Sequence, residues 1–263
     1  MIRIIKITTF AIFVQLLCMT SFAQNADMSS GYVYVHTSRN APVLIAEKSK
    51  GTLKSDVLMK AENIEINCEK NQIAFLILSN RTVLQLGENT KIRIKSFMQT
   101  PPFSFDFYDE SEKTRSLLEM EVISGQIRVY GTRPRATSSI NITTHFGKFD
   151  LKSTMFSMLL TDKNAQITIF EGQATFTSKN GKTDFIQNKQ QGEISADKIN
   201  SRYPMKIDYL TSIEEDALLN GYDNCKTVFK SVAFYKTKDG KFCAKRITPK
   251  EFLNRTAKYE YRK

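Results

Sequence analysis

The sequence predicts an all-β fold, a multi-stranded antiparallel β-sandwich or stack of β-sheets, with a small α+β appendage at its C-terminus. Three observations lead to this prediction. Several segments alternate apolar and polar residues, which is the period of a half-buried strand. Residues 73–78 form an apolar run suited to a strand buried on both faces. A Gly-Gln motif also recurs between alternating segments, at Ser124-Gly125-Gln126 and Glu171-Gly172-Gln173.

The recurring motif indicates similar β units that share one core. Both of its glycines are predicted to lie in turns, where the backbone often needs a positive φ angle. A single two-stranded unit is only marginally stable in water, so the units are expected to stack.

The clearest strands have one apolar face and one wet face, as strands of an antiparallel sheet do. One such strand carries the basic residues Lys91, Arg93 and Lys95 between apolar neighbours, and another carries Glu119 and Glu121. The apolar positions of the predicted strands are Val33, Val35, Ile64, Ile66, Leu84, Leu86, Ile92, Ile94, Leu118, Met120, Val122, Ile127, Val129, Ile167 and Ile169.

Residues 1–23 have the pattern of a secretory signal peptide. Arg3 and Lys6 form a short basic region, residues 7–19 are mostly apolar, and small residues precede the predicted cleavage between Ala23 and Gln24. The apolar run is short for a bilayer span, which needs about 20 apolar residues, although an uncleaved anchor is the alternative. The protein is therefore expected to be periplasmic or extracellular.

The remaining chain divides near residue 200 into a β domain, residues 24–200, and a basic C-terminal segment, residues 201–263. The segment is predicted to be helix-hairpin-helix-like. Its signals are a capped helix at 213–220, a two-residue hairpin turn at Asp239-Gly240, and a second helix start at Thr248-Pro249-Lys250-Glu251.

Positive charge is concentrated at the C-terminus. The chain has a net charge of +11, and cleavage of the signal peptide leaves +9. Residues 226–263 alone carry a net +9, so the rest of the mature chain is close to neutral. A basic end of this kind fits a solvated face or contact with an anionic envelope polymer, whereas nucleic acid is not an expected partner.

Three cysteines follow the signal peptide: Cys68, Cys225 and Cys243. An odd number in an oxidising compartment allows one bridge and one spare thiol. Cys68 alternates with apolar residues and is expected to be buried. The candidate disulfide joins Cys225 to Cys243, but the predicted hairpin sets Cys243 opposite Lys236, so a bridge requires the preceding chain to fold back.

No motif for catalysis, a cofactor or a metal is present. His36 and His145 stand in no ligand or triad spacing, and the cysteines form no zinc-binding pair. Glu119 and Glu121 project from the same face of one strand, as paired acids of a glycosidase could. Their alternation with apolar residues favours a wet strand face instead. The Lys91, Arg93 and Lys95 row is expected to pair with this acidic strand rather than to bind anions.

Several segments in order resemble the FecR family. The match lies in strand and glycine motifs spread over residues 83–193, and two positions depart from the family pattern: Ser153 replaces a usual Gly, and Thr144-His145 replaces a common Thr-Pro. The segments are Thr82-Val83-Leu84-Gln85-Leu86, Asn89-Thr90-Lys91-Ile92-Arg93-Ile94, Val122-Ile123-Ser124-Gly125-Gln126-Ile127-Arg128-Val129, Ile142-Thr143-Thr144 with Gly147, Ser153-Thr154-Met155-Phe156, Ile167-Thr168-Ile169-Phe170-Glu171-Gly172-Gln173-Ala174 and Gln191-Gly192-Glu193.

The resemblance implies a non-enzymatic, all-β envelope domain with no catalytic residues to transfer. Regulatory FecR proteins relay a signal from an outer-membrane receptor to a sigma factor. The residues before the apolar run are too few for a sigma-binding segment, so a direct anti-sigma role is not expected. The leading hypothesis is an exported module that binds an envelope protein or polysaccharide. The alternative is an indirect regulator that contacts a membrane receptor or a sigma-factor regulator, and a polysaccharide-active enzyme is a third.

Overall fold

The computed structural model describes residues 28–37, 43–47, 49–53, 56–100, 112, 114–201 and 204–248. Within these ranges sixteen strands form one sheet and two more form a separate hairpin. The strands are β1 (Ser29–Ser30), β2 (Tyr32–Thr37), β3 (Val43–Glu47), β4 (Ser49–Leu53), β5 (Val57–Lys60), β6 (Glu62–Cys68), β7 (Ala74–Leu78), β8 (Val83–Leu86), β9 (Thr90–Gln99), β10 (Ser116–Tyr130), β11 (Ser139–Thr143), β12 (Gly147–Leu160), β13 (Asn164–Ser178), β14 (Thr183–Ile186), β15 (Gln190–Ser195), β16 (Met205–Tyr209), β17 (Val232–Lys236) and β18 (Phe242–Arg246), and the helices are α1 (Ser212–Asn220) and α2 (Asp223–Ser231).

Three long strands, β10, β12 and β13, connect the two halves of the sheet. The first part of β10 pairs with β9, and its second part pairs with β8. In the same way, β13 pairs first with β15 and then with β14. We call the half that contains β2, β7, β8, β15 and β16 the lidded half-sheet, and the half that contains β6, β9, β11 and β14 the open half-sheet.

The long strands change direction at irregular positions in their middles. Gly125 in β10 has φ +91°, and Gly172 in β13 has φ +104°. In β10 the buried residues Met120 and Val122 follow the two-residue spacing of a strand, but the next buried residue is Ile127, an odd number of positions further on. A bulge of one residue produces this change of spacing. The prediction of turns at Gly125 and Gly172 is therefore wrong, because both glycines lie inside continuous strands.

Both half-sheets contribute to one hydrophobic core. Leu84 and Ile127 from the lidded half-sheet belong to the same buried cluster as Ile92 and Leu118 from the open half-sheet. The predicted all-β, stacked-sheet class is confirmed. The sheet is mixed rather than purely antiparallel, because β10 and β11 pair in parallel.

The apolar run at residues 73–78 forms β7, which is buried on both faces as predicted. Leu76 and Leu78 lie in the main core, while Phe75 and Ile77 lie in a second cluster with Tyr222 of the C-terminal segment. The second face is therefore covered by that segment, since α2 packs on β7, β8 and β10.

The described part of the C-terminal segment, up to residue 248, contains one predicted and one unpredicted helix. The capping box that predicts the first helix is formed, because the Thr211 hydroxyl accepts from the Glu214 amide and the Glu214 carboxylate accepts from the Thr211 amide. The second helix, α2, follows directly after Gly221, which is the predicted end of helical structure. It buries Cys225 and Val228 against the sheet.

The hairpin of β17 and β18 has a longer turn than predicted. The Thr237 amide donates to the Lys241 carbonyl at 2.9 Å, which leaves three residues in the loop. Gly240 has φ +81°, as expected for a type I turn followed by a bulge. Cys243 therefore lies opposite Tyr235 and not opposite Lys236.

The division near residue 200 stays a prediction, but strands from both sides of this residue belong to the same sheet. β16 follows residue 200 and extends the lidded half-sheet by pairing with β15. The signal peptide, its cleavage point at Ala23 and Gln24, and the second helix start at Pro249 and Glu251 lie outside the described residues.

Candidate functional site

The outer face of the open half-sheet carries a ladder of opposite charges. Glu65 lies 2.8 Å from Lys91 Nζ and 2.6 Å from Arg93 Nη2. Across β9, Arg93 Nη1 lies 3.2 Å from Glu121 Oε2, and Lys95 Nζ lies 3.9 Å from the same oxygen. The predicted pairing of the basic row with the acidic strand is confirmed. The ladder is neutralised within the sheet and is not a site for an anion.

The same contacts explain the acid pair on β10. Glu121 is held by Arg93, and Glu119 accepts a hydrogen bond from the Ser96 hydroxyl at 3.3 Å. Hydrogen bonds from Lys91 and Arg93 lower the pKa of Glu65, and Glu65 in turn raises the pKa of Arg93. The charged side chains stabilise the solvent-exposed face of these strands. The sequence favours the same role, and not catalysis, for Glu119 and Glu121.

A second polar cluster lies where β2 meets β5. The Tyr34 hydroxyl donates to Asp56 Oδ1 at 2.9 Å, and His36 Nδ1 lies 3.0 Å from the same oxygen. Burial acts to raise the pKa of Asp56, but the hydrogen bonds from Tyr34 and His36 outweigh it, so the pKa lies below its ordinary value. Asp56 thus has a structural role, in which it ties β2 to the chain that enters β5.

The candidate disulfide is not formed, because Cys225 and Cys243 both carry free thiols. Cys225 lies in α2 with its thiol directed at Gln85 Oε1, 3.2 Å away on β8. Cys243 lies on β18, half-buried. Burial raises the pKa of Cys225 to about 12 and that of Cys68 to about 11, so neither thiol is a reactive nucleophile.

The segment 131–138, between β10 and β11, is fixed mainly through its backbone. The Gly131 amide donates to the Thr154 carbonyl at 2.9 Å, and the Arg133 carbonyl accepts from the Glu112 amide at 2.8 Å. At the other end, the Thr137 carbonyl accepts from Arg115 Nε at 3.1 Å. We call this segment the rim segment. Its backbone is held by β12, by residue 112 and by the chain before β10.

A small polar cavity lies under the rim segment. The Asn80 amide donates to Glu112 Oε1 at 3.1 Å and to the Ser116 hydroxyl at 3.0 Å. Glu112 is only 8% exposed, and its second oxygen has no hydrogen-bond partner among the residues that the structure describes. Leu151 and Ser153 of β12 complete the wall. This network supports the rim segment from below.

Outside the rim segment lies an open groove, which we call the basic groove. Its walls are the rim segment, the middle of β12, the bulge of β13 and the turn before β15. The described residues that line it include three cations, Arg133, Arg135 and Lys152, and one carboxylate, Glu171. The lining residues are Gly131, Arg133, Pro134, Arg135, Ala136, Lys152, Thr154, Glu171, Gly172, Gln173 and Asn188.

No pattern in the sequence predicts the basic groove. Its residues come from four separate segments and follow no motif. A usable signal was the Arg133-Pro134-Arg135 sequence, because proline fixes an extended backbone between two long cations. The register shifts at Ser153 and Met155, which open the groove, appear only in the paired strands.

Within the part of the chain that the structure describes, no three His, Cys, Asp or Glu side chains form a group able to hold a metal ion. Neither helix in that part is long and apolar enough to cross a membrane.

Comparison with known proteins supports the family resemblance. Residues 64–175, from β6 into β13, match the family described as "FecR protein", which confirms the resemblance over this stretch. No curated protein matches the chain significantly.

Two solved structures from Parabacteroides distasonis ATCC 8503 are similar, each described as a "putative anti-sigma factor". The first, at 2.50 Å resolution, is 14% identical with a TM-score of 0.42, over 60% of this chain and 64% of its own. The second, at 1.65 Å, is 13% identical with a TM-score of 0.40, over 74% of this chain and 91% of its own. The chain thus spans less than two thirds of the first structure.

Proposed function

Because the chain carries a match to the FecR family, we propose that this protein is a regulator in envelope signalling that acts by binding another protein and not by catalysis. Its partner is a membrane receptor or the exported part of another regulator. The single observation that carries this proposal is the family match over residues 64–175. The match includes β10, β12 and part of β13, the strands that join the two half-sheets.

The proposal places the protein in the periplasm or outside the cell. The pattern of residues 1–23 supports export, with cleavage between Ala23 and Gln24. An exported regulator reaches the cytoplasm only through a membrane-spanning partner, so its effect on transcription is indirect.

The charged residues of the matched stretch also support a binding role. Arg93 and Lys91 satisfy acidic neighbours within the sheet. Arg133 and Arg135 are exposed on the rim segment beside the basic groove. A fixed segment that presents charged side chains to solvent suits recognition of a partner, since scaffold-held loops commonly carry binding residues.

Deletion and complementation test the proposal. The chromosomal copy is deleted, and the full chain is supplied from a plasmid under native growth conditions. We expect a restricted set of transcripts to change on deletion and to return with the full chain. A matched plasmid that encodes the chain without residues 1–23 tests export, and we expect it not to complement. Unchanged transcripts in the deletion strain would overturn the regulatory proposal.

Binding of an anionic envelope polymer is the second candidate. The concentration of positive charge at residues 226–263 favours it. It predicts that the purified chain is retained on native envelope polysaccharide and that deletion leaves transcription unchanged. Retention with unchanged transcripts would favour this candidate over the regulator.

A further inference from the structure

The strand β16 lies at an edge of the sheet. Among the residues that the structure describes, it pairs with β15 alone and stands at the end of the strand order. We propose that β16 binds β16 of a second copy of this chain in antiparallel orientation, so that two sheets join edge to edge in a homodimer. This inference goes beyond the proposed function and does not depend on it.

The backbone of Ile207 is directed away from β15. The Leu210 amide, just after β16, donates to the Lys189 carbonyl, just before β15, at 2.9 Å. Backbone groups of successive strand residues alternate between the two sides of the strand, so Ile207, three residues earlier, has its N–H and C=O on the outer side. Met205 and Tyr209 share this orientation, because each lies two residues from Ile207. The outer side of β16 is therefore arranged to pair with another antiparallel strand.

A two-fold axis through Ile207 gives the register of the dimer. Ile207 then pairs with Ile207 of the second copy, and the Tyr209 amide of each copy reaches the Met205 carbonyl of the other. The Met205 amide is already bonded to the carboxylate of Asp184. The pairing therefore forms about four backbone hydrogen bonds between the copies.

Lys206 and Asp208 favour this register electrostatically. Their side chains lie on one face of β16, with Lys206 Nζ 2.6 Å from Asp208 Oδ2, and are 69% and 58% exposed. In the two-fold register, Lys206 of each copy lies opposite Asp208 of the other, in a non-hydrogen-bonded pair, where side chains approach most closely. Opposite charges in such pairs stabilise adjacent strands. Glu193 of β15 lies opposite Lys206 on its other side, so charges of alternating sign would cross the interface.

The other face of β16 gains apolar contacts. Met205 and Ile207 pack against the main core, and Tyr209, on the same face by strand alternation, is 73% exposed. In the proposed register, Tyr209 of each copy lies opposite Met205 of the other, and the two Ile207 side chains meet. Pairing therefore covers a large exposed side chain.

The charges also explain why the second strand is antiparallel. Edge strands often carry charges that prevent further pairing. β16 carries one charge of each sign, Lys206 and Asp208, and these match a second copy only in antiparallel orientation, since a parallel copy in register sets like charges opposite each other. The interface is small, so we expect a weak dimer, with a Kd between about 10 µM and 1 mM.

Sedimentation equilibrium of the purified chain tests whether the dimer forms. Measurements extend from about 1 µM to 1 mM protein, which spans the expected Kd. We expect the average mass to rise with concentration from that of a monomer towards that of a dimer. A monomer mass at every concentration would overturn the inference.

Two charge-reversal variants test the register. Lys206→Asp leaves two acids on β16 and Asp208→Lys leaves two bases, so each variant sets like charges opposite each other in its own dimer. We expect each alone to dimerise at least about tenfold more weakly than the parent chain. An equimolar mixture should recover dimerisation, because unlike charges then meet. A mixture that associates no better than either variant alone would overturn this register.

Matched controls separate β16 from a general effect of charge. Lys163→Asp and Asp162→Lys make the same changes in the exposed turn between β12 and β13, and each should dimerise like the parent chain. An equal loss in these controls would overturn the assignment to β16. Circular dichroism confirms that each variant is folded.

Amide hydrogen exchange, followed by NMR, gives a second measurement that needs no variant. We expect the amides of Ile207 and Tyr209 in the parent chain to exchange more slowly in a concentrated sample, where the dimer forms, than in a dilute one. The Lys206 and Asp208 amides face β15 and should change less. Equal exchange of Ile207 and Tyr209 in both samples, with the dimer present, would place the interface elsewhere and overturn the inference.

Discussion

Ser153 lies directly opposite Gly172 in the register of β12 and β13. Its hydroxyl donates a hydrogen bond to the carbonyl of Glu171, next to that glycine. The register shifts on either side of Met155, immediately beyond this pair. The two strands therefore bend together, and this shared bend carries the sheet from one half to the other and opens the basic groove.

Replacement of Gly172 by alanine should destabilise the fold. A Cβ atom at this position would lie 2.2 Å from the Lys152 carbonyl oxygen, and the φ of +104° is unfavourable for alanine. We expect Gly172→Ala to lower the free energy of unfolding by about 2 kcal/mol or more. Urea denaturation measures this. Gly87→Ala, whose Cβ meets no atom closer than 3.5 Å, is the control, and equal effects would contradict the account of the bend.

The central glycines show why the sequence predicts the class but not the bend. The change of spacing between the apolar residues Val122 and Ile127 is visible in the sequence and predicts a turn between two strands. A bulge inside one long strand gives the same pattern. The bulge is distinguished from a turn only by the pairing of β10 with both β8 and β9. This pairing joins residues that are far apart in the sequence, so no local pattern predicts it.

The C-terminal segment should contribute to stability through Tyr222. This side chain is fully buried and packs edge-on against Phe170 of β13, with ring centroids 5.3 Å apart. We expect Tyr222→Ala to lower the free energy of unfolding by about 3 to 5 kcal/mol, as for other large-to-small core changes. Tyr209→Ala, at a side chain that is 73% exposed, should change it by less than about 0.5 kcal/mol.

The same packing bears on the predicted boundary near residue 200. A chain that ends at residue 200 loses β16 and uncovers Phe75 and Ile77 of β7. We therefore expect this truncation to bind a hydrophobic dye such as ANS and to melt with less cooperativity than the full chain. Cooperative melting without dye binding would instead favour an independent β domain.

Stability should depend on pH through Glu65. Its pKa in the folded state is lowered, chiefly by Lys91 and Arg93, from an ordinary value of 4.5. Its stabilising effect is therefore complete above pH 4.5 and is lost as the pH falls through the folded-state pKa. We expect Glu65→Gln to be about 1 kcal/mol less stable than the parent chain at pH 7, with a smaller difference at pH 3.

Urea denaturation at both pH values measures this difference. Asp162→Asn, at an exposed carboxylate in the turn between β12 and β13, is the control and should show no such dependence. A difference between Glu65→Gln and the parent chain that grows as the pH falls would contradict the role assigned to the ladder.

The cysteines should differ in reactivity with a maleimide. Cys225 and Cys68 are fully buried, whereas Cys243 is half-buried on the hairpin. In the folded chain we expect Cys243 to react first, and the other two to react only after unfolding. Peptide mapping by mass spectrometry identifies the labelled sites. A Cys225–Cys243 disulfide peptide from the native protein would contradict the free thiols of the structure.

The site was less predictable than the fold for a physical reason. Thr211 and Glu214 lie close in sequence, so their capping box predicted α1 correctly. The sequence does not predict the short helix α2, because Asn220-Gly221 is a signal for a helix end and α2 begins only two residues after it. The basic groove joins Arg133, Lys152 and Gly172 across irregular strand positions, and no local pattern places such residues side by side.

The central claim is that the chain regulates signalling, and a time course of transcription tests it most directly. Synthesis of the full chain is switched on in the deletion strain, and transcripts are followed while the protein accumulates. The account predicts that a small set of promoters responds early, as the exported chain appears. A response that is absent, or that appears only late as general envelope stress, would contradict the account.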